Sequence, residues 1–422
     1  RELVRAFADE NAPTFEFLIE NGVEFEDHLV GPTGASRVRR QQRTIQWPVA
    51  SERVTHHPTR VGSGLVRALE KSARAKGAQV LLRHKMTSIV RESPSAGRVL
   101  GVTAVNEGRT VNIAARKGLL VATGGSSSSV DLRRTFDPRL TAEYQVAGEP
   151  WSRQSGDGEA AAMTIGASLW GTANQTAESG IAISKTRHIG CRWGYSSLIW
   201  QPDSRIFDRA RASGLTVVDW QNLILVNQAG QRFWNEVDAR YDFFAAAMAY
   251  NSGSSAKLNG GGPIWAIFDQ EAVSREEWEP TPPNVDPDGY FFTADTIAEL
   301  AQKISNPYQS TPMKPEVLQK TVERYNNFVD LGEDQDYQKP TPRYKIQKPP
   351  FFAAWSTPIL HDSLTGLRTN TKSQVIDIRG QVIPGLYCAG ESQGGFAQHG
   401  LGRCLVFGRI AGRDAALHGG NV

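Results

Sequence analysis

The chain has 422 residues and a mass of 46.3 kDa, with 40% hydrophobic and 22% charged residues. That excludes a peptide scaffold and a disordered tail, and at roughly 100–200 residues per domain it points to two or three domains. Forty-seven Lys and Arg against 44 Asp and Glu leave a net charge of +3 without basic runs, so no nucleic-acid footprint is present. A mean hydropathy of −0.39 and the lack of any apolar run approaching roughly 20 residues argue against a membrane span and for a soluble protein. The cysteines Cys191, Cys388 and Cys404 are few and far apart, which excludes a disulfide framework and a CxxC metal site. No metal is expected, and a reducing, cytoplasmic setting fits.

The opening residues are already in helical period, with Leu3, Phe7, Phe15 and Leu18 spaced for one buried face. With no initiator Met and no signal peptide, the chain reads as part of something longer, and its targeting is not legible. Leu65, Leu69 and Ala73 predict a helix over 62–76, which Gly77 would close. Short β-branched runs follow at 78–83, 86–90, 99–105, 110–113 and 118–122, separated by Gly, Ser, Pro and Asn. The last is read as a fully buried strand running into Thr123-Gly124-Gly125.

From about Glu178 to Asp362, Trp, Pro and Asn are dense and the α/β alternation stops. Strand-like pieces at 222–227 and 263–268 sit among helices such as 314–331. This reads as an inserted domain, giving a division into 1–177, 178–362 and 363–422. Strands are expected again at 374–378 and 385–388, and a helix over 400–418.

The sharpest local signal is Ile383-Pro384-Gly385-Leu386-Tyr387-Cys388-Ala389-Gly390-Glu391, then Gly394-Gly395 and the glycine-led final helix. A buried strand ending at Ala-Gly-Glu lets backbone approach a ligand through the glycine while the carboxylate accepts hydrogen bonds from hydroxyls. The helix behind it aims free N–H groups at an acceptor. The alternative is a glycine-lined strand-turn-helix without a ligand.

With these residues in view, the sequence resembles the flavoprotein family of fumarate reductases and succinate dehydrogenases, which includes flavocytochrome c fumarate reductases and 3-ketosteroid dehydrogenases. Leu120-Val121-Ala122-Thr123-Gly124-Gly125 is similar to the family's AtGG turn and Gly156-Asp157-Gly158 to its GDG. The run from Ile224 to Glu236 is similar to its "ILVN-x-x-G-x-RF-x-NE". The resemblance implies an α/β fold, a Rossmann-like FAD-binding domain with an inserted α+β capping domain that closes over the flavin ring. It assigns FAD contacts to Thr123, Gly124, Gly125, Asp157, Gly390, Glu391, Gly400 and Leu401. One departure is large. The family's GxGxxG turn and the acidic residue for the adenosine ribose are missing, roughly a hundred residues on the βαβ scale. A second polypeptide or a missing N-terminal segment is expected to carry them.

For chemistry, the resemblance places Arg240 where the fumarate reductases have their proton-delivering arginine. A guanidinium can clamp a carboxylate and donate a proton if one is restored to it. The alternative is an arginine ion-paired with Asp238 or Asp242. The relay residues would fall near Thr216 and Asp219, and the family's substrate-binding His-Pro-Thr is replaced around Asn174-Gln175-Thr176, which argues against fumarate itself. His361 aligns with the family's second histidine run. His399-Gly400-Leu401 stands where the family aims backbone N–H groups at the flavin's pyrimidine oxygen, ahead of Arg403 as a site candidate. Trp193, Tyr195, Trp200, Trp220 and Trp234 are mostly core residues, with a minority available for an apolar slot that would favour a bulky substrate over a small diacid.

The reading is an FAD-dependent oxidoreductase acting on CH–CH bonds of a small organic substrate, in either direction, with Arg240, His361 and His399 at the reacting end. Its rival is a catalytically silent binding or scaffolding subunit that has lost its nucleotide half.

Overall fold

The computed structural model describes residues 1–29, 40–44, 63–171, 181–184, 187–194, 200, 202, 206–237, 261–396 and 400–418. They divide into two units: Arg1–Gly124 with Asp157–Trp170 and Gly366–Val422, and Gly125–Gly156 with Gly171–Thr365.

In the first unit the Glu2–Glu20 helix buries Leu3, Thr14 and Leu18. Leu3 and Phe7 pack on Phe396, Val406, Phe407 and Ile410, with the Phe7 and Phe396 rings 5.2 Å apart. Glu10 on the same helix accepts from Arg413 and Arg409, each at 2.6 Å, and this pairing lowers its carboxyl below the ordinary range. The Ser63–Ala75 helix closes at Gly77 (φ +90°), where Gly77 N–H reaches Arg74 O and Ala78 N–H reaches Ala73 O.

The 78–83 segment is not the strand its composition suggests. Leu82 is 74% exposed, and the segment has no ladder partner among the described residues. β-propensity records fit to a half-buried pleated surface, and here no such surface is offered.

Two small sheets follow. Lys85–Ser93, Ala96–Asn106 and Arg109–Ala114 form an antiparallel meander in which Val102 lies opposite both Ile89 and Ile113. The other sheet has the order Gln374–Ile376, Val382–Cys388, Leu119–Val121, and its last two strands are parallel, with Cys388 opposite Val121. One apolar cluster joins them: Ile89, Val99, Val121, Leu386 and Cys388 enclose Ala161 and Ala162 of the Asp157–Met163 helix. This core fixes the ends of the parallel pair.

The second unit is built on a four-stranded antiparallel sheet ordered Ile224–Val226, Trp265–Asp269, Phe351–Trp355, Phe291–Ala294. Because side chains alternate across a strand, Leu225, Ala266, Phe268, Phe352 and Ala354 face one cluster while Ile224, Val226, Trp265, Ile267 and Trp355 face another. The Gln270–Arg275 helix packs Ala272 and Val273 into the first cluster. The Ile297–Lys303 and Pro315–Leu331 helices pack Leu300, Leu318, Val322 and Tyr325 into the second. Pro315 starts the longer helix where its missing N–H costs nothing, and Gly332 (φ +71°) ends it. A smaller sheet joins Gln145–Val146 and Ile181–Ser184 to Ile359–Ser363. The expected α+β character of the insertion is what is observed.

Candidate cofactor site

The Leu119–Val121 and Val382–Cys388 strands run parallel, so their carboxyl ends lie side by side, where open α/β sheets bind ligands. The first continues through Thr123 to Gly124 (φ +85°) and the second through Ala389 to Gly390 (φ +77°). Ser392 ties the two turns together: its Oγ donates to Gly124 O at 2.6 Å and lies 3.2 Å from Thr123 Oγ1. The Asp157–Met163 helix closes on the same place through Gly158. A Cβ there would lie 2.2 Å from Thr123 Oγ1 and 2.5 Å from Val121 Cγ1, so only glycine allows this approach.

The Leu401–His418 helix meets the second turn, since a Cβ on Gly390 would stand 3.6 Å from Cys404 Sγ. Just before it, Gly400 has φ +89° and open space where a Cβ would be, as does Gly124. Leu401 is 57% exposed. The structure therefore brings together Thr123, Gly124, Asp157, Gly390, Glu391, Gly400 and Leu401 within one unit. Gly125 begins the other unit and is glycine for a packing reason: its Cβ would fall 2.2 Å from Ser363 Oγ, which also accepts from Ser126 N–H at 2.9 Å.

Charge at these strand ends is held at least half-buried. Burial raises the Glu391 carboxyl, a shift that Arg403 opposes, and no described side chain hydrogen-bonds to it. Burial lowers Arg403, 1% exposed on the final helix, against the opposing pull of Glu391. Arg403, placed behind His399 by the sequence reading, is the cation that acts on Glu391. Burial also pushes the Glu159 carboxyl up to about 8, and Glu391 and Asp157 add to that. The sequence offers one sign of Glu159, a carboxylate set in an otherwise Gly and Ala stretch, 158–162. Open space at Gly124 and Gly400, a hydroxyl at Thr123 and a carboxylate at Glu391 to which no described side chain hydrogen-bonds fit a ligand rich in hydroxyls, as FAD is.

The reacting-end candidates are less well placed. Arg240 and His399 lie outside the described residues, as do Glu178 and Tyr195; of His361 only the backbone is described, in the Ile359–Ser363 strand. Short of Arg240, the Arg-Phe-x-Asn-Glu run proves to be a buried charge network. Arg232 bonds Glu236 through Nε at 2.8 Å and Nη2 at 2.9 Å, and reaches Asp334 at 2.9 Å. Lys339 Nζ approaches Glu236 at 3.3 Å and donates to Leu223 O at 2.8 Å. Despite complete burial, Arg232 and Lys339 pull the Glu236 carboxyl down to about 2. Asn235 Oδ1 then accepts from Val237 N–H at 3.0 Å.

Thr216 hydrogen-bonds His188 Nδ1 at 3.2 Å, and Asp219 caps the 220–222 turn, so both positions have local structural partners. Trp200 is buried with Ile206 and Ala210, Trp193 packs against that cluster, and Trp220 and Trp234 pack on the larger core. These four are core aromatics.

Residues 1–402 match the family model described as FAD binding domain. The chain belongs to that family. Its members' cofactor is FAD, which agrees with the geometry of the two glycine turns. NADH:acrylate oxidoreductase of Vibrio harveyi is 27% identical over 98% of the chain and 37% of its own length. Urocanate reductase of Eggerthella lenta is 28% identical over 84% of the chain and 54% of its own length. A 3-oxosteroid 1-dehydrogenase of Mycolicibacterium smegmatis is 26% identical over 84% and 62%. The chain thus spans less than two thirds of each of these relatives. The open conformation of a flavocytochrome c3 fumarate reductase superposes with a TM-score of 0.61 at 23% identity, over 99% of the chain and 64% of that structure. The α/β flavoprotein fold is shared. No described helix is long and apolar enough to cross a membrane.

Proposed function

We propose that the chain serves an FAD-dependent oxidoreductase acting on a carbon–carbon bond next to a carbonyl or carboxyl group. The observation that carries this is the convergence of Thr123-Gly124 and Gly390-Glu391 at the ends of two parallel strands, in a chain matched to the FAD binding domain over residues 1–402. Bound FAD supplies hydride transfer to or from the substrate carbon. Glu391 accepts hydrogen bonds from cofactor hydroxyls, and Gly390 and Gly124 let backbone approach it. Gly400 and Leu401, at the start of an 18-residue helix, offer N–H groups to a developing negative charge.

At the reacting end Arg240 holds the substrate oxygen and moves a proton, with His361 and His399 as orienting groups. The relatives' names support this substrate class, since acrylate, urocanate and the 3-oxosteroids each can carry an activated double bond. Those names give no support to a silent subunit. The GxGxxG turn and the ribose-binding acid are supplied by a further segment or a partner polypeptide. The coverage of the relatives supports that, as does the position of Leu119–Val121 as the last strand of its sheet among the described residues.

The test is spectroscopic and then kinetic. The purified chain, with whatever co-purifies, is titrated with FAD, bleached with a reductant and mixed with unsaturated carboxylates or an unsaturated ketosteroid. Reoxidation by one class establishes the activity. Failure to bind flavin with the GxGxxG-bearing partner present would sink the reading.

A further inference from the structure

Glu159 is the third residue of the Asp157–Met163 helix and is 1% exposed. No other described residue hydrogen-bonds to either of its carboxyl oxygens. Burial there favours the protonated form, against the opposing bond from its own backbone N–H. Among the described residues no cation acts on it, since Arg91, on the Lys85–Ser93 strand packed against this helix, donates to Ile165 O at 2.7 Å. Its own helix contributes Asp157, and the strand and turn after it contribute Cys388 and Glu391, with Thr123 and Val121 coming from the neighbouring strand end. Arg403, on the final helix, is directed to Glu391, Cys388 and Cys404. Three carboxyl groups thus gather at the end of the sheet that, on the FAD reading above, receives an anionic dinucleotide.

We propose that Glu159 is a positioning residue of the cofactor site: its retained proton makes these strand ends tolerant of a negatively charged dinucleotide, and loss of that proton expels the ligand. The inference rests on the FAD reading and adds a group that neither the glycine turns nor the reacting-end residues include. Its physical basis is that buried Glu159 cannot be charged beside an anion and the half-buried Glu391 without mutual repulsion, to which the exposed Asp157 adds. The proton also belongs to the range where the carboxyl titrates, about 8, so the effect falls within the working pH of ordinary buffers.

The test measures FAD affinity of the full chain, with its GxGxxG-bearing segment or partner present, by quenching of flavin fluorescence from pH 6 to pH 9, below the range in which the flavin ring loses its own proton. The dissociation constant is expected to rise about tenfold or more across that interval, the effect of one unit of pKa displacement. Glu159→Gln, neutral at every pH, should bind with a flat profile. Glu391→Gln, which removes a repelling neighbour, should keep the rise but shift it to lower pH. A flat wild-type profile, or a rise that persists in Glu159→Gln, overturns the proposal while leaving flavin binding intact. Absence of flavin binding at every pH overturns the FAD reading and the proposal with it. Should Glu159→Gln not fold, infrared spectra of the wild-type chain decide: a protonated buried carboxyl must be present at pH 6 and fade as the pH passes about 8, and its absence at pH 6 overturns the proposal.

Discussion

Two groups of buried charge in this chain follow opposite rules. In the second unit Arg232, Glu236, Asp334 and Lys339 are nearly inaccessible and satisfy one another through four contacts of 2.8 to 3.3 Å. At the strand ends of the first unit Glu159 is buried and Glu391 half-buried, and no described side chain hydrogen-bonds to either. The closed network holds its carboxylate far below the ordinary range, whereas the open pair sits above it. Buried charge that is fully paired belongs to the architecture. A buried carboxyl to which no described side chain bonds is, by contrast, a candidate for a ligand site.

The sharpest way to break this contrast is to remove Glu236. Glu236→Ala leaves Arg232 and Lys339 buried with half their compensation gone, so the loss in unfolding free energy should be about 3–5 kcal/mol, readable by urea denaturation. A loss below about 1 kcal/mol would mean that the network is no more structural than a surface pair. The opposite result is expected at the strand ends. Glu391→Ala should leave stability unchanged or slightly raised, since a desolvated charge disappears, while FAD retention weakens by about 1.5–3 kcal/mol as a cofactor hydroxyl loses its charged acceptor. Equal flavin affinity in the variant would remove Glu391 from the site.

Gly158→Ala tests whether the strand ends are a built cradle. The added methyl must displace Thr123 Oγ1 and Val121 Cγ1, at a cost of about 1–3 kcal/mol of stability together with weaker flavin binding. Wild-type flavin affinity with only the stability loss would show that this helix packs the core and does not shape the site.

The two places also differ in how much of them was legible from sequence. The strand ends were readable because the constraints there are local: a β-branched run, a glycine that must take positive φ, a carboxylate at the turn. The Ala-Gly-Glu and Thr-Gly-Gly turns follow such rules, and so does the Gly77 helix stop. The charge network was visible only as a motif, because Asp334 and Lys339 lie about a hundred residues from Arg232 and local pattern carries no information about pairing over that separation. Ala78–Arg83 failed for a related reason, as its strand-like composition says nothing about whether a neighbouring strand is present to pair with it. Glu159 went unnoticed because one glutamate in a helix is ordinarily a solvated residue, and only burial makes it exceptional.

The smallest effect sharpens the comparison through the sign of its pH dependence. Glu236 titrates near 2 in the folded chain, below its unfolded value near 4.5, so its contribution is complete above about 4.5 and is lost as the pH falls toward 2. Glu159 titrates near 8 when folded, so its contribution is complete below about 4.5 and is lost as the pH rises toward 8. Stability should therefore decline on both sides of a weakly acidic maximum, and the two limbs belong to different units. Between pH 6 and pH 7 the alkaline limb can cost at most about 1.4 kcal/mol for one group, a fall in Tm that calorimetry resolves. Glu159→Gln should flatten that limb and leave the acid limb as it was. If instead the variant steepens the alkaline fall, Glu159 is ionised and paired in the folded chain, and the distinction between closed and open charge does not hold.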